Sequence, residues 1–223
     1  MDASTAATLL GRVEPFRGLD ERARLTVVEQ AGRRVVDKGQ MVFWQDDPGE
    51  AMFVLLEGSV KLVVCSRDGE LIELHRHDAP AIFGELALLD AGPRSASAEA
   101  VERSTLLVVT RPELLRLLRA EDQVAEALLR TLGAMVRRTT RQISDLAFLS
   151  LQGRVAAKLL DLAEPDGSRT RRFTQVELAT RVGGARQTVN QALRSLESRG
   201  YIRADGRSFQ ILDRERLEHL AER

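Results

Sequence analysis

The chain has 223 residues, 43% apolar and 30% charged, enough for a sizeable core and globular in composition. Its 33 basic and 33 acidic side chains cancel to a net charge of +0, and no apolar run is long enough to span a bilayer. A single cysteine, Cys65, excludes an internal disulfide framework and any four-thiolate metal or iron–sulfur site.

Met1–Gly11 lacks a basic-then-apolar pattern, so the expected location is cytoplasmic, with no membrane partner. Charge is uneven along the chain. Ser150–Arg223 holds 14 Lys+Arg against 10 Asp+Glu, and the remainder holds 19 against 23. The basic surplus of the last third points toward a polyanion.

A helical lead-in is expected at roughly Asp20–Ala31. Short strand-like runs follow between Val35 and Val109: Gln40–Trp44, Ala51–Leu56, Val60–Cys65, Leu71–His75 and Thr105–Val109. Turn chemistry separates them at Asp47-Pro48-Gly49, Glu57-Gly58 and Arg67-Asp68-Gly69. Repeated short strands with tight turns predict an antiparallel sandwich or barrel. Cys65 and Trp44 are expected to be buried there. His75 and His77 share one strand face, a spacing that fits a solvated surface better than a metal or haem site.

From Pro112 to about Leu149 the period becomes helical, with Pro112 in the first turn. Leu128, Leu132, Met135, Thr139, Gln142, Leu146 and Leu149 recur at heptad spacing. Such a seam needs a partner helix, either from a second copy or from the chain's own barrel. Polar Thr139 interrupts it and calls for another explanation. In Ser150–Arg223, Thr174-Gln175-Val176-Glu177 is a capping box opening a helix to about Val182. Gly183-Gly184 supplies a turn, and a second helix spans about Ala185–Ser198. Its Val189, Ala192, Leu193 and Leu196 share one face, opposite Arg186, Gln187, Asn190, Gln191 and Arg194. Tyr201–Leu212, centred on Asp205-Gly206, reads as a two-stranded wing. The divisions expected are 1–110, 111–149 and 150–223.

The string Phe83-Gly84-Glu85-Leu86-Ala87-Leu88, followed by Arg94-Ser95-Ala96, carries chemistry. A glycine lets the backbone turn so that the next amides converge on an anion. Arg94 offers a forked, permanently charged donor and Ser95 a hydroxyl, both suited to phosphate. Glu85 is an acceptor suited to a sugar hydroxyl. Together they describe a nucleotide with one compact phosphate. By spacing alone, a loop held by a Glu85–Arg94 ion pair fits as well.

This string resembles the phosphate-binding cassette of cyclic-nucleotide-binding domains. The resemblance continues through Asp145-Leu146-Ala147-Phe148-Leu149 and Gly153-Arg154-Val155-Ala156 into the helix–turn–helix. On these motifs the chain is identified as a member of the CRP/FNR transcription-factor superfamily, in its cyclic AMP receptor branch. The resemblance implies an α+β fold: a jelly-roll-like β-roll for cyclic nucleotide, a long central dimerisation helix and a C-terminal winged helix–turn–helix. It also implies a homodimer, a double-stranded DNA operator, RNA polymerase as a partner, cyclic AMP as effector and no enzymatic activity. Effectors found elsewhere in the superfamily, namely cyclic GMP, cyclic di-GMP or a haem-bound gas, are the alternatives, as is DNA binding without ligand.

Residue by residue, the resemblance assigns nucleotide contacts to Gly84, Glu85, Leu86, Ala87, Arg94 and Ser95. Thr139 and Thr140 fall where the family carries a Thr-Ser pair that reaches the purine from both subunits. DNA contacts fall on Thr174, Arg186, Gln187, Thr188, Asn190, Gln191 and Arg194. The chain departs from the family pattern at Met135, where a central-helix arginine is usual. It departs again at Gln187 and Gln191, where the family carries glutamate and arginine.

Overall fold

A computed structural model describes residues 1–65 and 71–222. Two compact units result, one of 1–65 and 73–136 and one of 71–72 and 137–222. The turn expected at Arg67-Asp68-Gly69 lies outside the described residues.

The first unit opens with α1 (Ala3–Leu10), capped by Asp2, whose carboxylate accepts from the Thr5 amide at 2.7 Å. Helix α2 (Glu21–Gln30) realises the lead-in and is capped the same way by Asp20. Strands β1 (Gly32–Val36), β2 (Met41–Phe43), β3 (Ala51–Glu57), β4 (Ser59–Cys65), β5 (Leu71–Asp78) and β6 (Ala81–Phe83) follow. After them come the short helix α3 (Leu86–Asp90), then β7 (Ser97–Ala100) and β8 (Ser104–Thr110). They form two four-stranded sheets, ordered β1-β8-β3-β6 and β2-β7-β4-β5.

The alternation of β3 explains why its run is apolar throughout. Met52, Val54 and Leu56 face a core shared with Leu10, Phe16, Leu114, Val124 and Leu128 from the helices. Phe53 and Leu55 face the other way, into the core between the sheets with Val36, Phe43, Val60, Phe83 and Leu106. A strand covered on both faces shows no polar alternation. Two expectations fail on the second sheet, where Trp44 is 59% exposed just beyond β2 and Cys65 is exposed at the end of β4. Both sit at strand ends, where burial no longer follows the alternation.

The helix expected over 112–149 is two helices, α4 (Arg111–Ala120) and α5 (Asp122–Phe148), parted by the extended residue Glu121. The break lets Leu114 of α4 and then Val124 and Leu128 of α5 enter one core. Only alternate positions of the expected seam, Leu132, Thr139 and Leu146, lie on the apolar stripe that α5 leaves outside the core. Leu128 is buried, whereas Leu129, Val136 and Ile143 are 68%, 64% and 61% exposed. The apolar stripe on the surface therefore runs Leu129, Leu132, Val136, Thr139, Ile143, Leu146. Two heptad frames overlap in this sequence, sharing Leu132, Thr139 and Leu146, and of the expected one only Leu128 is buried in the chain's own core.

The second unit comprises α6 (Leu151–Asp161), α7 (Gln175–Val182), α8 (Arg186–Ser198), the wing β9 (Ile202–Asp205) and β10 (Ser208–Ile211), and α9 (Arg214–Ala221). The sequence reading did not include α9. Leu217 ties it into a core with Val155, Leu159, Leu178, Val189, Leu193, Leu196 and Ile202. Helices α6 and α9 meet at Gly153, where a Cβ would lie 2.7 Å from the Leu220 carbonyl oxygen. In an open helix, alanine for glycine gains about 1 kcal/mol. Here the added methyl meets backbone, which cannot rotate aside. Gly153→Ala is therefore expected to destabilise the protein by about 1–3 kcal/mol, measured as a lower urea midpoint at unchanged slope; a higher midpoint would contradict the close approach.

Candidate functional site

The cassette is built around a turn. Gly84 ends β6 with φ +77°, and a Cβ there would sit 2.8 Å from an Arg94 amino nitrogen and 3.2 Å from the Phe43 ring. Both the conformation and the space call for glycine. Glu85, 7% exposed, is the N-cap of α3, and Leu86 and Ala87 form its first turn. The loop after β2 presses on this helix from behind, since a Cβ on Gly49 would come within 2.0 Å of the Ala87 Cβ.

Arg94 is only 4% exposed. Its Nη1 donates to the Gly84 carbonyl at 2.8 Å and its Nη2 to the Ala51 carbonyl at 2.6 Å. The guanidinium carbon stands 4.2 Å from the Phe43 ring centroid and 5.6 Å from that of Phe53. Its Nε is buried with no hydrogen-bond partner. Burial lowers the Arg94 pKa, while the charges of Asp47 and Glu85 raise it; an arginine keeps its charge in any such setting.

Phe43, Leu62, Gly84, Glu85, Leu86, Ala87, Arg94, Ser95, Ala96 and Met135 enclose a cavity of about 30 Å³. All six cassette positions singled out in the sequence are thus gathered at one place, with exposed Ser95 at its rim. Pockets that take small ligands are usually larger, about 300–1,000 Å³. Thr139 and Thr140 are exposed on the part of α5 that belongs to the second unit. Phe43 and Phe53 were not singled out as site residues, because alternation marks them only as core. On β5 the rings of His75 and His77 stand edge to face, 4.4 Å apart.

In the second unit the Thr174 hydroxyl accepts from the Glu177 amide at 3.1 Å, and the Glu177 carboxylate accepts from the Thr174 amide at 2.7 Å. Gly183, φ +62°, ends α7 in the left-handed conformation. Helix α8 buries Val189, Ala192, Leu193 and Leu196 and exposes Arg186, Gln187, Thr188, Gln191 and Arg194. Asn190 is half-buried, and its Oδ1 has no hydrogen-bond partner. In the same unit Arg171, Arg172, Arg203 and Arg207 are also exposed. The Phe173 amide donates to the Arg207 carbonyl at 2.8 Å, joining the wing to the start of α7. From behind, Arg154 donates Nε to the Val182 carbonyl at 2.9 Å and Nη1 to the Leu149 carbonyl at 3.0 Å. One guanidinium thereby satisfies the ends of two helices. Asp145, half-buried near this junction, has its pKa raised by burial and by Asp161, against a lowering by Arg141, Arg154 and Lys158.

Residues 33–121 match the cyclic nucleotide-binding domain family, and residues 153–220 match the Crp-like helix-turn-helix domain family. The chain is similar to a CRP-like cAMP-activated global transcriptional regulator of Mycobacterium tuberculosis, at 34% identity over 96% of this chain and 98% of the relative. It is also similar to the cyclic AMP receptor protein of Thermus thermophilus, at 32% identity over 92% of this chain and 95% of the relative. Among solved structures, the Thermus thermophilus catabolite activator protein superimposes with a TM-score of 0.56 at 31% identity, covering 94% of this chain and 98% of that one.

The Asp145 carboxylate generates a test of the second unit. A folded-state pKa raised above the unfolded value means that the folded protein disfavours the charged form. That cost is present in full above the folded pKa and vanishes below the unfolded one. Asp145→Asn is expected to melt higher than the parent at neutral pH, with the two curves converging as pH falls through the carboxylate range. A variant that melts lower at neutral pH would mean that Asp145 is held by its neighbouring cations.

Proposed function

We propose that the effector of this chain, which belongs to the CRP/FNR family of cyclic-nucleotide-responsive, DNA-binding transcription regulators, is cyclic AMP. The observation that carries this reading is the seat of Arg94: a buried guanidinium with an unpartnered Nε–H, beside a cavity walled by Gly84, Glu85 and the first turn of α3. A buried donor without a partner is rare in a folded protein and asks for an explanation. A phosphate provides one, as a charge-assisted acceptor for the guanidinium and for Ser95. Glu85 can then accept from a ribose hydroxyl. The names of the relatives at 34% and 32% identity favour cyclic AMP among cyclic nucleotides.

In this reading the exposed stripe on α5 is covered by the same stripe of a second copy. Leu129, Leu132, Val136, Ile143 and Leu146 supply its apolar positions, and Thr139 with Thr140 reaches the purine. The dimer presents two α8 helices to a pseudo-palindromic operator with half-sites about 34 Å apart. Arg186 reads a guanine, and Gln187, Thr188, Asn190, Gln191 and Arg194 complete the contacts, with Thr174 near a phosphate. The protein acts in the cytoplasm, together with RNA polymerase, as a regulator with no catalytic activity of its own.

Calorimetry with cyclic AMP, cyclic GMP and cyclic di-GMP tests the effector; tightest binding is expected for cyclic AMP, and preference for another nucleotide would reassign it. Arg94→Ala is expected to weaken cyclic AMP binding at least tenfold, about 1.4 kcal/mol, and Arg94→Lys to recover part of it. Unchanged affinity would remove the phosphate from this place.

Gln187 gives the test on DNA. A carboxylate can only accept, as from cytosine, whereas an amide donates and accepts and pairs well with adenine. Selection of bound sequences from a random pool is expected to show weak cytosine preference, or adenine, at the base facing Gln187. Gln187→Glu is expected to restore cytosine. Identical selected motifs from both proteins would show that this side chain does not read that base.

A further inference from the structure

We propose that Phe43 is the positioning residue of the phosphate-binding arginine, setting nucleotide affinity through the plane and rotamer of Arg94. This rests on the reading of Arg94 given above. The side chain of Arg94 has many rotamers in water, and fixing one has an entropic cost that falls on ligand binding unless the fold has already met it. Here the fold meets it from three directions. The carbonyls of Gly84 and Ala51 each fix one amino nitrogen, at 2.8 and 2.6 Å. Two such bonds still leave the group free to tilt, and the Phe43 face, 4.2 Å from the guanidinium carbon, removes that freedom.

The Phe43 ring is itself immobilised. It stacks on Phe53 at 5.6 Å between centroids and lies 6.0 Å from Phe83, while Phe53 and Phe83 stack on each other at 5.3 Å. Of these three rings only Phe43 also lines the cavity. A guanidinium is weakly hydrated and planar, so an aromatic face can replace water on one side of it without demanding a hydrogen bond. That leaves its edge, including the unpartnered Nε–H, as the part still able to meet an acceptor. An aliphatic residue would fill the same core but would neither attract the cation nor define its plane.

Substitution of Phe43 by 4-fluoro-, 3,5-difluoro- and pentafluorophenylalanine in the full-length protein keeps the ring's shape while draining its negative face. Cyclic AMP affinity by calorimetry is expected to fall stepwise along the series, to roughly a tenth by its end. In an Arg94→Lys background the same series is expected to change affinity less than about threefold, because an ammonium is not held by the same planar stack. Phe43→Leu serves as the aliphatic comparison, expected to lose about tenfold with Arg94 and much less with lysine. A merely structural role for the ring would lower the melting temperature equally in both backgrounds and give no fluorine trend. A parent that binds cyclic AMP but shows no trend, or an equal trend in both backgrounds, overturns this inference and leaves the nucleotide reading intact. A parent that binds no cyclic nucleotide overturns both.

Discussion

A guanidinium taken out of water must have its hydration replaced group by group, and Arg94 shows what that requires of the chain around it. Two carbonyls and one ring face replace most of the lost water. They come from the start of β3, the end of β6 and the end of β2, so three strands must be in register before the charge is tolerated. Gly84 follows from this, because any side chain there would displace both the amino nitrogen and the Phe43 ring. So does the packing of rings between the two sheets. Leaving a charge buried without such partners costs several kcal/mol, which makes this cluster a strong constraint on the fold of the first unit.

The second unit is organised around helix ends. Arg154 closes the last turn of α7 and the end of the segment after α5, while the Thr174–Glu177 box closes the first turn of α7. Short helices are marginal by themselves. The two-turn α7 is held by caps at both ends and by Leu178, Ala179 and Val182 in the core. That rigidity is what fixes the start of α8 relative to α7, the geometry a groove-reading helix needs.

Much of this was legible in the sequence because the signals were local. The capping box, the paired glycines, the wing turn and the cassette string each occupy a few consecutive residues. The strands β3, β4 and β8 showed themselves through β-branched and apolar runs. Strand β6 is only three residues long and β7 is Ser-Ala-Glu-Ala, composed of poor strand formers that pair because their neighbours do. Helix α9 carries a single fully buried residue, Leu217, too little for a periodic pattern. On α5, Leu128 and Leu129 begin two equally regular frames that share Leu132, Thr139 and Leu146, so spacing by itself does not say which of the two leucines is buried. The seat of Arg94 was illegible for a different reason: its partners at positions 43, 51 and 84 are brought together only by the fold.

Adjacent residues on α5 have opposite fates. Met135 walls the cavity beside Arg94, and Val136, about 100° further round the helix, is 64% exposed on the outer stripe. A helix is stiff along its length and resists twisting, since each turn is locked to the next by hydrogen bonds. Met135 and Val136 are joined through one peptide bond, so the wall of the cavity and the outer stripe belong to the same rigid element. No relay of side chains stands between the lining of the cavity and the outer stripe.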